Sequence, residues 1–433
     1  MDEIGIGLVG AGVVGGGVVK VLGAQGRFFR DDLRLPVCLL RIADTNAARF
    51  SALPVPEGTV CSANADDILG DQRVKIVVEL VGGTGFARTL VLEALRRGKH
   101  VVTANKKLVA EHGPELFAAA EAGGASVYFE AAVGGGIPLI KSLREGLIAN
   151  DIESIKAIIN GTCNYILTQM AARGKSFDAA LLDAQRRGYA EADPTLDVSG
   201  GDSGHKVAIM ASLAHGGYVP FASLPIEGIT AITEEDITFA RDLGYTIKLL
   251  GIINACADGR LDVRVHPAML HADHILASVN DVFNAVWLRC DAAGTILLYG
   301  RGAGEMPTAS AVVSDIVDCS RDIVAGAPRR VSMDYYGSER RIPLMPMDEI
   351  RTRYYLRFAV VDRPGVLAGI TSAFGRHDIS IASIVQKEGS APDYVPVILL
   401  THEACERNVN AAIAEIDGMD FVRGRTQLIR IEE

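Results

Sequence analysis

Over the first 130 positions, apolar residues gather in short solid runs divided by stretches of helical period. That is the pattern of strands buried on both faces with helices laid over them. The runs Ile4–Val9, 36–43, 74–81, 100–102 and 126–130 read as strands, and 86–97 reads as a helix ending at Gly98. Such alternation predicts an α/β fold, a doubly wound parallel sheet that holds its ligand beyond the strand carboxyl ends. Past residue 131 the pattern becomes α+β. Stretches 152–159, 261–265, 287–290 and 294–298 suit strands. Helices open after Asn160-Gly161-Thr162, with Thr162 as the cap, near Asp202, and from Val312. A polar segment at 326–350 carries Pro343 and Pro346 and reads as a linker. Strands at 354–361, 379–386, 395–401 and 427–431, with helices after 362–367 and at 408–415, then give a β-α-β-β-α-β order, which is ferredoxin-like. The expected division is a nucleotide domain over 1–130, completed by a helix near 305–325, a second domain over 131–304, the linker, and a third domain over 351–433.

Composition narrows the class without changing that layout. A content of 49% hydrophobic and 22% charged residues is that of a soluble globular chain. The net charge of −10, with no Lys/Arg-rich run to offset it, argues against a nucleic-acid partner. Seven scattered cysteines without a C-x-x-C pair suit reduced thiols in the cytoplasm, with neither zinc nor disulfides. No apolar run reaches the ~18 residues of a membrane span.

Candidate chemistry begins at Gly10-Ala11-Gly12-Val13-Val14-Gly15, between the first strand and a helix continued by Val18, Val19 and Leu22. Gly10 suits a tight turn, Gly12 the approach of backbone N–H groups to a pyrophosphate, and Gly15 close helix–strand packing, so a dinucleotide is expected against Val13 and Val14. Asp44 ends the second strand, where a carboxylate would take the ribose hydroxyls and repel a 2′-phosphate. That favours NAD, although Arg41 and Arg49 nearby keep NADP open. The spacing from Gly15 to Asp44 exceeds the usual ~20 residues and implies an insertion around 24–32. Gly82 and Thr84 turn at the end of the third strand, and Lys106 falls at the end of the fourth.

The densest reactive stretch is GYAEADPTLDVSGGDSGHKVA, 188–208, a loop in which Glu191, Asp193, Asp197 and Asp202 precede Lys206. Asp202 and Lys206 stand four apart on one side of a helix. A lysine so placed in a cleft can give and take a proton; on a surface the pair would be worth only about a few tenths of a kcal/mol. Gly134-Gly135-Gly136 before Pro138 either frees carbonyls for a cation or opens a helix with Pro138 at its first position. Cys163 reads as a packed thiol, and His271, Asp273 and His274 lack the further ligands of a metal site.

Taken together, GAGVVG (10–15), TANKKL (103–108), EAAVGGGIP (130–138), NGTCNYIL (160–167), the 188–209 stretch and GRGAGEMPTASAVVSDI (300–316) resemble homoserine dehydrogenase. The chain departs from that pattern at Cys163, where Thr is frequent, and at Asp281, where Gly is usual. The resemblance implies a Rossmann domain and interconversion of L-homoserine and L-aspartate 4-semialdehyde with NAD or NADP. It implies Lys206 as acid/base, Lys106 as the group orienting the hydroxyl, Asp202 steering Lys206, and Glu191 with Asp197 at the substrate. Each of two neighbouring lysines would lower the other's pKa, poising one as a base. The family also implies a sodium ion on the carbonyls of Glu130, Val133, Gly135 and Ile137, with Gly188 and Gly304 on the nicotinamide side. DRPGVL (362–367) and the element order of the tail resemble the ACT domain, a binder of small amino acids. This implies threonine control near Asp362 and Gly365, and a homodimer or homotetramer. Two other readings stand beside it: a non-catalytic NAD-sensing regulator, and an ACT-bearing hydroxyacid dehydrogenase such as phosphoglycerate dehydrogenase, whose Arg/Glu/His arrangement has no convincing place here.

Overall fold

The structure, a computed structural model, describes residues 3–327, 330, 341–386 and 394–433. Strands β1 (Ile4–Val9), β2 (Val37–Ala43), β3 (Val60–Ser62), β4 (Val74–Glu79), β5 (His100–Thr103) and β6 (Val127–Tyr128) form a parallel sheet in the order β3-β2-β1-β4-β5-β6. Every residue of β1 is buried, because helices cover both faces. One cover comes from far along the chain. The helix Glu305–Val324 packs Ala309, Val312 and Ile316 into the core of Ile4, Ile6, Val18 and Val19. It begins at Glu305 rather than Val312, since Pro307 lies within its first turn, where no intrahelical N–H is needed. The extra residues before β2 do not loop out. They lengthen the helix Val13–Arg27 and close it with a wide turn over Phe28–Asp32.

The second sheet contains β7 (Ile152–Ile158), β8 (Tyr245–Ala255), β9 (Leu261–His271), β10 (Phe283–Cys290), β11 (Gly294–Arg301), β12 (Arg351–Val360), β13 (Ile381–Gln386), β14 (Val395–Thr401), β15 (Ala404–Cys405) and β16 (Gln427–Glu432). Their order is β11-β10-β7-β8-β9-β16-β12-β14-β13, with β15 on β12. β8 escapes a reading by alternation because Ile247 to Ile253 are all buried, and a solid apolar run has no period of two.

The tail follows the predicted β-α-β-β-α-β order, with the short β15 added, and its last strand also joins the sheet of the middle region. β16 runs parallel to β9, pairing Arg430 with Ala268, Ile431 with Met269 and Glu432 with Leu270, so the middle region and the tail share one sheet. An edge that would otherwise offer unpaired N–H and C=O groups is thereby closed. Of the predicted linker, 328–329 and 331–340 lie outside the described residues. Beyond them Arg341 bridges Tyr218 and Leu344 bridges Leu261.

Two local expectations also change. Asn160, not Thr162, caps the helix Gly161–Arg173: its Oδ1 accepts from the Cys163 amide at 2.7 Å, while the Thr162 hydroxyl donates to the Tyr189 carbonyl. Asp281 adopts φ +56°, a left-handed conformation that suits glycine and, among other residues, asparagine and aspartate. Among the described residues no helix is long and apolar enough to cross a membrane.

Candidate active site

The helix Gly201–His215 is buried from Gly201 through Leu213, so the side chains of its first two turns are held inside the molecule. Asp202 stands on the first turn. Its Oδ2 accepts from Lys206 Nζ at 2.6 Å and its Oδ1 pairs with Lys106 Nζ at 2.8 Å. Lys106 opens the helix Lys106–Gly123, whose cap is Asn105: the Asn105 side chain accepts from the Leu108 amide at 3.1 Å. A third segment completes the cluster. Asn160 Nδ2 donates to Asp202 at 2.9 Å and to Asp197 at 2.7 Å, and Lys206 also donates to the Ile159 carbonyl at 2.7 Å. Lys206 is nearly buried, whereas the Lys106 side chain is 35% exposed.

The electrostatics differ from a mutual weakening of two lysines. Burial alone would raise the Asp202 carboxyl, but Lys206 and Lys106 outweigh it and hold it well below the usual carboxylate range. Burial likewise pulls Lys106 down, yet Asp202, with Asp197 and Glu191 behind it, holds that ammonium above the usual lysine value. A carboxylate between two cations reverses the sign of the expected effect. Glu191 and Gly188 lie exposed on the loop, and only Thr195–Val198 makes a helical turn there. Cys163 is fully buried, its thiol pushed well up by burial and donating to the Asp197 carbonyl at 3.2 Å, an inert packing group.

At the nucleotide end Gly10 has φ +99°, and a Cβ on Gly15 would lie 2.0 Å from the Gly10 oxygen, so only glycine allows this helix start to sit so close to β1. Gly12 caps the helix without a side chain, leaving the first amides, at Val13 and Val14, open to an anion. A cleft of about 420 Å³ adjoins them, lined by Gly10, Gly12, Asp44, Arg49, Val81 and Phe86. Asp44 is more occupied than the sequence suggests: it accepts from the Ala11 amide at 2.7 Å, the Asn46 amide at 2.8 Å and Arg49 at 2.8 Å. Arg41 points away, to Asp71 at 2.8 Å.

Glu79, fully buried at the end of β4, binds the cleft to the lysines. It accepts from the amides of Val81 and Gly82 and from the Thr103 hydroxyl at 2.6 Å, and Asn105 Nδ2 donates to the Gly83 carbonyl. Thr84 completes that turn and is half-buried.

The Gly134–Gly136 loop packs backbone to backbone on the loop before Gly304, where the Gly136 amide donates to the Arg301 carbonyl at 3.1 Å. Pro138 is the cap of a single turn, Leu139–Lys141, rather than its first residue. The run around 126–130 keeps only two strand residues before turning at Glu130–Ala132. Asp362 and Gly365 sit on an exposed turn, with Gly365 at φ +92° opening the helix Val366–Arg376. Among the described residues no group of three His, Cys, Asp or Glu side chains is placed to hold a metal.

The structure thus brings Lys106, Asp197, Asp202 and Lys206 together and adds Asn160, Asn105 and Glu79. In the sequence Asn160 is visible only as a turn residue and Asn105 only as part of the run leading out of the fourth strand. Glu79 carried a faint signal, a lone carboxylate ending a solid apolar strand.

Comparison with known proteins agrees with this geometry. The family described as homoserine dehydrogenase, NAD binding domain, matches residues 10–130, homoserine dehydrogenase matches 138–317, and the ACT domain matches 354–419. The homoserine dehydrogenase of Neisseria gonorrhoeae is 42% identical over 434 residues, 100% of this chain and 99% of that protein. A homoserine dehydrogenase structure from Thiobacillus denitrificans superposes with a TM-score of 0.92 at 46% identity, covering 100% of this chain and 98% of the other. A hyperthermophilic archaeal homoserine dehydrogenase in complex with NADPH superposes with a TM-score of 0.62 at 25% identity, covering 74% of this chain and 98% of the other.

Proposed function

The chain belongs to the homoserine dehydrogenase family, and from that premise we propose how its residues divide the work. The enzyme interconverts L-homoserine and L-aspartate 4-semialdehyde with a nicotinamide cofactor. That cofactor, when bound, supplies the acceptor or donor of hydride at the carbinol carbon. Lys206 takes the hydroxyl proton as its free amine when the alcohol is oxidised, and as the ammonium returns it in the reverse direction. Lys106, kept protonated by Asp202, stabilises the oxyanion that forms as the proton leaves. Asp202 orients both lysines, Asn160 holds Asp202, and Glu191 with Asp197 receives the substrate ammonium. Gly188 and Gly304 border the nicotinamide side. The observation that carries this reading is the single buried carboxylate shared by two ammonium groups at 2.6 and 2.8 Å. The test is Lys206→Met, assayed in both directions alongside a fluorescence titration with NADPH. Turnover lost with cofactor binding kept supports the assignment; turnover kept removes Lys206 from the role of acid/base.

The NAD preference argued from Asp44 alone is offset in this proposal. Arg49 neutralises the carboxylate and adds a cation to the same cleft, so the enzyme accepts NADP as well. A sodium ion on Glu130, Val133, Gly135 and Ile137 would be structural. The carbonyls of Glu130 and Ile137 each accept one backbone N–H and keep a lone pair, which suits an ion that braces the loop and takes no part in hydride transfer. Melting in sodium against choline chloride tests it. We assign the nucleotide to 1–130 with the helix near 305–325, substrate and subunit pairing to 131–304, and control to 351–433. An amino-acid effector, threonine first, would contact Asp362 and Gly365; the assembly would be a homodimer or homotetramer in the cytoplasm.

A further inference from the structure

Beside the two lysines lies a buried imidazole that the proposed chemistry does not use. His205 precedes Lys206 on the helix Gly201–His215, and its side chain is 2% exposed. Its Nε2 stands 3.1 Å from Oε1 of Glu111, which belongs to the helix opened by Lys106. One hydrogen bond therefore ties together the two helices that carry the ammonium groups. Phe221 clamps the ring from the side, with centroids 4.0 Å apart and planes 16° apart. Gly204 makes that stack possible, since a Cβ there would lie 2.9 Å from the Phe221 ring and 2.4 Å from Ile226. The other ring nitrogen assigns the proton. Nδ1 is buried and meets no partner among the described residues, so an imidazolium would leave an N–H there unpaired. The ring is thus neutral, with its one hydrogen on Nε2 and donated to the Glu111 carboxylate. Burial pulls its pKa below the ordinary histidine value, against the opposing effects of Glu111 and Asp202.

We propose that His205 is a positioning residue for hydride transfer: its bond to Glu111 fixes the helix of Lys106 against the helix of Lys206, and with it the spacing of the two ammonium groups around Asp202. This rests on the roles given to Lys206 and Lys106 above. Lys106 reaches Asp202 on a long flexible chain, so that ion pair by itself tolerates sliding of one helix along the other. A short planar ring, stacked on one side and bonded at its tip, does not. The neutral ring also adds no third positive charge to a cluster that already sets two cations on one carboxylate, and Lys106 opposes such a charge. Spacing of the ammonium pair matters most in the transition state, where a proton leaves and an oxyanion forms between them. The substrate ammonium is bound elsewhere, by Glu191 and Asp197. The clamp therefore acts on kcat rather than on homoserine KM.

His205→Phe keeps the stack on Phe221 and removes the donor. His205→Gln, whose amide nitrogen reaches the place of Nε2, restores the donor without the ring. Both are assayed in the full-length protein for homoserine oxidation with NADP, and NADPH affinity is followed by fluorescence. His205→Phe should lower kcat roughly ten- to a hundred-fold, with homoserine KM and NADPH affinity moved by less than about two-fold. His205→Gln should stay within about five-fold of the unaltered enzyme. His205→Phe combined with Lys206→Met should cost nothing beyond Lys206→Met, because no acid/base is left to position. Glu111→Ala breaks the bond from its more exposed end and should match His205→Phe; it decides alone if His205→Phe does not fold. The proposal is overturned if His205→Phe keeps kcat, if its loss falls on KM, if His205→Gln loses as much, or if the losses multiply in the double variant. Lys206→Met by itself separates the two readings. Turnover kept there sinks the catalytic reading and the clamp with it, whereas turnover lost there with His205→Phe unaffected sinks the clamp alone.

Discussion

In the middle of the molecule Asp202 pairs with Lys206 at 2.6 Å and Lys106 at 2.8 Å; at the seam with the tail Arg430 pairs with Glu406 at 2.6 Å and Glu227 at 2.9 Å. The distances are alike, but the balance of charge is not. The first cluster has two cations to one buried carboxylate, and one of them, Lys106, is left 35% exposed. The seam places Arg430 between Glu406 and Glu227, and Arg264 between Asp262 and Glu432. Arg430 and Glu406 are only 4% and 2% exposed. Tyr354 donates its hydroxyl to Glu406, and Lys156 reaches the carbonyl of Glu433. A partly exposed cation beside a buried carboxylate is a device for meeting negative charge as it forms. A closed network aligns β16 on β9: it adds little net stability as a whole, yet losing one member leaves a partner charged and buried.

The sharpest way to break that contrast is Lys206→Met, which should lower kcat on the order of 10³-fold in both directions while costing less stability than a break in the seam, because Asp202 keeps Lys106 and the Asn160 amide. An equal loss of stability would make the first cluster structural after all. Arg430→Met is the converse. It should cost about 3 kcal/mol of stability in denaturant melts, because Glu406 loses its partner, with kcat of the surviving folded protein kept. If it melts like the unaltered chain, the seam does not set the register.

A third buried cation sharpens the comparison further. Among the described residues Lys248 touches no carboxylate, only oxygens of Asn164, Val279 and Asn280, and burial lowers its pKa to about 8. The unfolded chain therefore binds more protons between about pH 8 and the ordinary lysine value. Stability should rise with pH across that window and flatten in Lys248→Met, read from denaturant midpoints at stepped pH. A falling curve would contradict the burial argument. The smallest effect concerns an exposed charge. Arg49→Ala should reduce kcat/KM with NADP several-fold, on the scale of about 1 kcal/mol, and with NAD less. Equal losses would remove Arg49 from cofactor choice.

Much of this was legible in the chain itself. Gly10, Gly12 and Gly15 declare their turn because a tight strand-to-helix passage is a local demand on φ and on Cβ. The tail's β-α-β-β-α-β order follows from hydrophobic period, and Asp202 with Lys206 is a matter of helical spacing. What could not be read is whatever depends on a partner distant in sequence. Asn160 is a turn residue until Asp197 and Asp202 fold onto its amide. Lys106 was expected to be weakened by Lys206, and only the placement of Asp202 between them reverses the sign. Asp44 looks free for a ribose until Ala11 and Arg49 take its oxygens, and β16 shows only its pairing within the tail until β9 offers a second edge. Period and spacing act over a few residues, so the chain alone determined its elements and its reactive groups. Charge balance and strand pairing act through space, and those the tertiary structure decided.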